Sequence, residues 1–514
     1  MAYLLGVDTG GTYTDAVVLD EATDQILASA KSLTTRPDLA LGVGRAIDAA
    51  LAQAAIDPAQ VAMVSLSTTL ATNALVEGQG GSIALVFIGF DAAELGRAGL
   101  TDALRGDPVI ALAGGHSHAG GEIAALDLAG LAQAIDALDA GITGFAIAGS
   151  FATRNAAHEI AARDLIRERT GKPVTCSHEL SSALGGPKRA LTAVLNARLI
   201  GMIDGLIAAC EGHLTKVGID ARLMVVRGDG ALVSAAVARE KPIETILSGP
   251  AASIAGASWL TGELDALVSD IGGTTTDVCL LQGGKPKIDP QGARVGPYRT
   301  MVEAVAMRTT GLGGDSEVHV VEGLGGGVQL GPRRLMPIAL AAQEYPELVH
   351  RELDRALAMD VPASDGVQFA VPMWREMPQG LDPREAAVAN RLTDGPQRVG
   401  VAVTSRMESP ALARLVTRGM VMIAGVTPSD ASHVLGRVDA WDAQASVKAL
   451  TLFARRRTGA GERLAADAET MSQMIVDQLT RQTVDCLLQA AFAEDGQARD
   501  HDGRIGPASR DCAG

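Results

Sequence analysis

Acids and hydroxyls set around paired glycines occur twice in this chain, at Leu5–Asp20 (LGVDTGGTYTDAVVLD) and Leu267–Gln282 (LVSDIGGTTTDVCLLQ). Without a gap the copies match at Asp8/Asp270, Gly10/Gly272, Gly11/Gly273, Thr12/Thr274, Thr14/Thr276 and Asp15/Asp277. A D-x-G-G-T-x-T-D turn between apolar runs reads as a β-hairpin whose glycines let the backbone approach a ligand closely. Its N–H groups and the hydroxyls of Thr12, Thr14, Thr274, Thr275 and Thr276 suit hydrogen bonding to a polyphosphate. Asp8, Asp270 and Asp277 only accept, so beside phosphates they call for a cation, and a hydrated Mg²⁺ held through water by Asp8 and Asp270 meets that need. One such hairpin is a tight turn. Two copies that keep their acids and threonines point to a nucleotide clamp made of two halves.

A further glycine-rich loop, Thr309–Ser316, adds Gly313, Gly314 and an acid. Spending glycine in several clusters fits enclosure of a large polar ligand.

The elements that must position these groups alternate between strand and helix. A strand over 61–66 hands Ser67, Thr68, Thr69 and Asn73 to a strand end, where α/β folds place ligands. A second strand, 144–148, ends before Arg154, Asn155, His158 and Glu159, a mixture suited to a polar substrate. The competing reading is a helix start capped by Asn155. His116 and His118 have no third metal ligand nearby and read as solvated or hydrogen-bonded loop histidines. Helices are expected over 39–55, 126–140, 189–212, 339–358, 443–454 and 471–493, a strand over 171–180, and a disordered tail over 494–514.

The 514 residues suggest two or three domains. With 47% apolar but only 3% aromatic residues, the core must rest on Ala, Val, Leu and Ile. A net charge of −16 argues against a nucleic-acid partner. Five cysteines without a C-x-x-C pair suggest reduced thiols in a cytoplasmic protein. The most apolar helical run is interrupted by Asn196, Arg198 and Asp204, which argues against a membrane span. The N-terminus reads as a first strand, not a signal peptide.

Several further stretches carry a resemblance: STTLATNAL at 67–75, GGH at 114–116, SFATRNAAHE at 150–159, RALTAVLNARL at 189–199 and SGPAASIAGA at 248–257. With the twin hairpins, the chain resembles the hydantoinase A and 5-oxoprolinase family of the actin, sugar-kinase and heat-shock-chaperone superfamily. The resemblance implies an α/β, two-lobed actin-like (ASKHA) ATPase fold with duplicated RNase H-like cores, divided as 1–180 and 181–493. It implies ATP and Mg²⁺, with Asp8, Asp270 and Asp277 catalytic and Gly10, Gly11, Gly272, Gly273, Gly313 and Gly314 at the nucleotide. Thr68, Thr69, Asn73, Arg154, Asn155, His158 and Glu159 are expected to line the substrate.

The implied activity is ATP-dependent opening of a cyclic amide or imide by carbonyl phosphorylation, in a hetero-oligomer with a hydantoinase B-like subunit. An ATP-dependent carboxylase subunit of the acetone or acetophenone type, or a sugar-kinase-like ATPase, are the alternatives. The C-terminus departs from the family, whose members continue with a Gly-rich segment that touches adenosine.

Overall fold

The structure is a computed structural model that describes residues 2–494 apart from 12, 36–38, 322–325, 360–367, 375, 376 and 379, together with 497–499 and 505–507. Its contacts divide the chain into two compact units, 1–268 with 279–307 and 269–278 with 308–514.

The first unit opens with a meander of β1 (Tyr3–Thr9), β2 (Tyr13–Asp20) and β3 (Gln25–Leu33), and β1 pairs in parallel with β4 (Val61–Thr68). Four parallel strands, β5 (Ile83–Ile88), β6 (Val109–Leu112), β7 (Gly144–Gly149) and β8 (Val174–Cys176), form a separate sheet in the order β6-β5-β7-β8. β9 (Arg222–Val226) and β10 (Leu232–Ser234) then return to the first sheet, giving β10-β9-β4-β1-β2-β3.

Alternation decides which side chains face the core. Leu5, Val7, Ala16 and Val18 are buried, while Gly6, Asp8, Asp15 and Val17 fall on the opposite face of the same strands. The helix Leu39–Ala54 covers the buried face with Val43, Ala46, Ile47, Ala50 and Leu51, an i, i+3, i+4 stripe. Each fully buried aliphatic side chain there contributes about 1.5–3 kcal/mol.

The helix Gly186–Val217 packs against β7, β5 and the helix Leu39–Ala54, so it links the two sheets of this unit. It starts with Pro187 in its first turn and stops at Gly218, whose positive φ of 84° closes the last turn. By length and apolarity it could cross a membrane, yet most of that stretch is buried in the protein.

The second hairpin, β11 (Ala266–Ile271) and β12 (Thr276–Gln282), carries the chain across the boundary between the units. Its outer strand differs from β1. β1 lies between β2 and β4, whereas among the described residues β11 has β12 as its one strand neighbour. Leu5 is 1% exposed and its counterpart Leu267 is 36% exposed.

The second unit continues with the antiparallel strands Ser316–Val320 and Val328–Arg334 and a four-stranded sheet whose central strand is Val421–Gly425. The helices Pro428–Val434, Ala443–Ala454 and Ala468–Glu494 pack on one another.

Several expectations change. The 180/181 division falls inside the first unit, because the helix Ser177–Leu180 and the long helix after it both pack on β7. Of 171–180 only Val174–Cys176 is strand. The helix expected over 339–358 is two, Ile338–Glu344 and Pro346–Leu357, since Pro346 has no N–H to continue the first. In the tail, Gln497–Arg499 pairs antiparallel with Ile505–Pro507, and the rest of 495–514 lies outside the described residues.

Candidate functional site

Both glycine turns close in the same way. Gly10 N–H donates to the Tyr13 carbonyl at 2.9 Å, and Gly272 N–H donates to the Thr275 carbonyl, also at 2.9 Å. The repeat seen as letters is therefore a repeat of backbone geometry.

In the first unit, Asp8 lies on the sheet face away from the core and accepts a hydrogen bond from Ser67 Oγ at 2.6 Å. The β4 end is pinned beside it: Thr68 N–H donates to Ser248 Oγ at 3.1 Å, and Ser248 Oγ donates back to the Thr68 carbonyl at 3.0 Å. That exchange brings the start of the helix Ser248–Thr261 to the first turn, and a Cβ on Gly249 would stand 3.5 Å from Asp8 Oδ1. Asp8, Asp15, Lys31, Ser65, Ser67, Gly249 and Ser253 line a cavity of about 550 Å³. Asp15 is paired there with Lys31 at 3.2 Å, a cross-strand pair set by the β2–β3 register.

The threonines divide. Thr14 is fully buried and its hydroxyl shares a hydrogen bond with Thr34, which also donates to the Gly10 carbonyl. Thr276 is fully buried too and donates to the Leu312 carbonyl at 2.8 Å. Both hydroxyls are spent on holding the turns rather than offered outward. Thr68 is likewise committed, donating to the Thr9 carbonyl, and Thr69 accepts from Asn73 Nδ2 at 3.4 Å. Thr274 is exposed, Gly11 half-buried, and Thr12 lies outside the described residues.

In the second unit, the loop carrying Gly313 and Gly314 lies directly on the second turn. Gly314 N–H donates to the Gly272 carbonyl at 3.1 Å and Asp315 N–H to the Gly273 carbonyl at 2.7 Å. Asp277 accepts from Thr275 Oγ1 at 3.1 Å, while its Oδ1 is buried without a partner. Burial, with the nearby Asp270 adding to it, holds the Asp277 carboxyl above the usual range. Asp270 is exposed. The copies are thus unequal: one acid at this position is neutralised by a lysine, and the other is enclosed with a free oxygen.

The group after β7 forms a different cluster. Glu159 is fully buried and accepts from Gly149 N at 2.7 Å, Ser177 Oγ at 2.6 Å, His178 N at 3.0 Å and His178 Nδ1 at 2.5 Å. The buried Arg189 reaches Ser177 and the Gly149 carbonyl from the long helix. His158 Nδ1 accepts from Gly115 N at 2.9 Å, which puts its proton on Nε2, facing Glu122 at 3.0 Å.

His116 is 2% exposed, its ring tilted 43° against that of His158 with centroids 4.3 Å apart, and burial lowers its pKa. It is thus a core histidine, while His118 is exposed. Ala156 holds the N-cap position, but Asn155 Oδ1 accepts from the first helical N–H, that of Ala157, at 3.0 Å, while its amide donates to the Gly120 carbonyl. Arg154 is exposed. Glu159, Cys176 and His178 offer ligand atoms within 4.8 Å of one another, but the four donors on Glu159 and a thiol pushed up by burial make this a structural knot.

Thr68 and Thr69 bond the Thr9 carbonyl beside the first turn, Asn73 bonds Thr69, and Gly314 bonds the second turn. No described hydrogen bond joins the Arg154–Glu159 group to either turn. Lys31, Arg189 and Arg334 were missed. A basic residue opposite Asp15 in the meander, and an arginine within an apolar helical run, were the available signals.

A family model described as the hydantoinase/oxoprolinase N-terminal region matches residues 4–170, and one described as hydantoinase/oxoprolinase matches 189–486. The chain is 28% identical over 353 residues to caprolactamase subunit alpha of Pseudomonas jessenii, covering 64% of this chain and 50% of that protein. It is 26% identical over 372 residues to the acetophenone carboxylase gamma subunit of Aromatoleum aromaticum, covering 64% and 49%. The chain therefore spans about half the length of these curated relatives.

Among solved structures, a nucleotide-free acetone carboxylase matches with a TM-score of 0.62 at 19% identity, covering 96% of this chain and 63% of that one. The ATP-dependent caprolactamase of Pseudomonas jessenii matches with a TM-score of 0.60 at 22% identity, covering 95% and 63%. These likenesses establish a shared α/β fold. Two family models that together run over most of its length place the repeated turns in a known setting, and the chain belongs to the hydantoinase/oxoprolinase family.

Proposed function

We propose that this chain is the nucleotide-handling subunit of an ATP-dependent hydrolase that opens a cyclic amide or imide of the lactam, hydantoin or 5-oxoproline type. The observation that carries the reading is the pair of glycine turns with the same closing hydrogen bond, each next to an aspartate. Relatives include a caprolactamase subunit, which supports ring opening, and their names as subunits support a second, hydantoinase B-like chain in a hetero-oligomer. Cysteines 176, 210 and 486 are free, in keeping with a reducing, cytoplasmic setting.

The residues fit a hydrated Mg²⁺ bound with ATP. Asp277 has a buried oxygen without a partner, Asp270 is open, and Asp8 is fixed by Ser67. When bound, Mg-ATP would supply the phosphoryl group that makes the carbonyl carbon a stronger electrophile, so that water can add there, the ring C–N bond can break with the nitrogen taking a proton, and phosphate is released. The protein's share is positioning and charge. Gly10 and Gly272 close the turns through their own N–H groups, and Gly313 and Gly314 brace the second turn. Asp8 in the first unit, and Asp270 with Asp277 in the second, are the acids that would hold a cation's water shell, and burial raises the pKa of the Asp277 carboxyl.

A carboxylase subunit is the second reading, favoured by the acetophenone carboxylase relative. The test is ATP turnover by the chain with a hydantoinase B-like partner across lactams, hydantoin, 5-oxoproline, and ketones with bicarbonate. Stimulation by a ring substrate supports the hydrolase, and stimulation by ketone plus bicarbonate supports the carboxylase. If Asp8→Ala and Asp277→Ala turn over ATP like the parent, the site is misplaced.

A further inference from the structure

We propose that Arg334 is an anion-binding residue for the polyphosphate at the second glycine turn, and that Asp315 is the residue that positions it. The proposal rests on the nucleotide reading above and adds a cation that none of the motifs contains.

Asp315 is a buried hub within the second unit, 8% exposed. Its N–H donates to the Gly273 carbonyl at 2.7 Å, its Oδ1 accepts from Ser429 Oγ at 3.1 Å, and its Oδ2 accepts from Arg334 Nη2 at 3.2 Å. The same Oδ2 would be 2.7 Å from a Cβ on Gly273. One carboxylate oxygen therefore touches both the bare face of the turn and the arginine. The two distances put the guanidinium nitrogen no more than about 6 Å from that face, the span of a phosphoryl group hydrogen-bonded on both sides.

The neighbouring arginine shows why the assignment falls on Arg334. Arg333 is locked in a two-pronged pair with Glu317, both contacts at 2.6 Å, so its fork is satisfied. Arg334 gives one N–H to Asp315 and keeps the rest of a five-donor fork, at 38% side-chain exposure. The register Ser316↔Arg334 sets it at the strand end next to Gly313–Asp315. Charge needs it there as well. Asp315 and Asp277 would repel a polyphosphate at this turn, and Arg334 is the cation that offsets them.

The test is titration of the purified full chain with ATP and MgCl2, followed by a fluorescent trinitrophenyl-ATP competitor, at several salt concentrations. Arg334→Ala should weaken ATP binding roughly 10- to 100-fold and flatten the dependence of affinity on salt, as loss of a charged hydrogen bond does. Arg334→Lys should recover part of the affinity, because a point charge replaces part of the fork. Arg333→Ala, one residue away and equally basic, should stay within about twofold of the parent, since its partner is Glu317. Equal affinity and salt dependence in the parent and Arg334→Ala would overturn this assignment and leave the nucleotide reading standing. A parent chain that takes up no ATP would overturn both.

Discussion

Replacing Gly313 by alanine tests the bracing of the second turn. The added Cβ would lie 2.5 Å from the Gly273 carbonyl oxygen and closer still to that of Gly272. Both are backbone atoms of the turn, so no flexible side chain can yield. The methyl must lift the 313–315 loop off the turn. That costs about 1–3 kcal/mol of overpacking and weakens the bonds from Gly314 to Gly272 and from Asp315 to Gly273, about 1 kcal/mol each.

The total is about 3–5 kcal/mol, or on the order of 10 °C in Tm for a unit of this size. Gly201→Ala is the control. Its Cβ meets no atom within 4 Å on the long helix, and it should stabilise by about 0.5–1 kcal/mol. Calorimetry at pH 7.5 with amide exchange over 269–278 reads both. The bracing argument fails if Gly313→Ala melts within about 1 °C of the parent, or if Gly201→Ala falls as far.

Asp277→Asn should raise Tm at pH 7–8 while abolishing ATP turnover. Burial raises the folded pKa of Asp277, so the ionised acid destabilises the fold above the unfolded value and costs nothing below it. The gain should therefore fade as the pH drops toward about 4, measured by melting across a pH series. Glu159→Gln puts an amide donor among the donors from Gly149, Ser177 and His178 and leaves the buried Arg189 without a countercharge. It should cost about 3–5 kcal/mol in urea unfolding, and a loss under 1 kcal/mol would remove its role as the knot of the second sheet. In the native protein at pH 8, Cys176 and Cys210 should resist a thiol reagent until urea is added, because burial pushes both thiols up, Cys210 to about 12.

The turns were legible because the backbone demands glycine at fixed places and the strands on either side alternate with period two. The same alternation could have said that Thr14 and Thr276 face inward and Asp15 and Asp277 do not, yet counting hydroxyls hid it. What sequence could not carry was partnership across distance. Lys31 meets Asp15 through a strand register, Asp315 meets Arg334 across a hairpin, and Glu159 draws four donors from two segments. The ends of elements were the other loss: Pro346 split a helix that apolar spacing made continuous, and the paired strands Gln497–Arg499 and Ile505–Pro507 have no apolar period to betray them.

The unpaired side of β11 has a colloidal consequence. A short strand whose outer edge pairs with no other strand among the described residues is a template on which another molecule can grow. Concentrated stocks of this polypeptide should therefore thicken and scatter light in proportion to protein concentration. A lysine at Leu267, putting charge where an incoming strand would lie, should lengthen their shelf life.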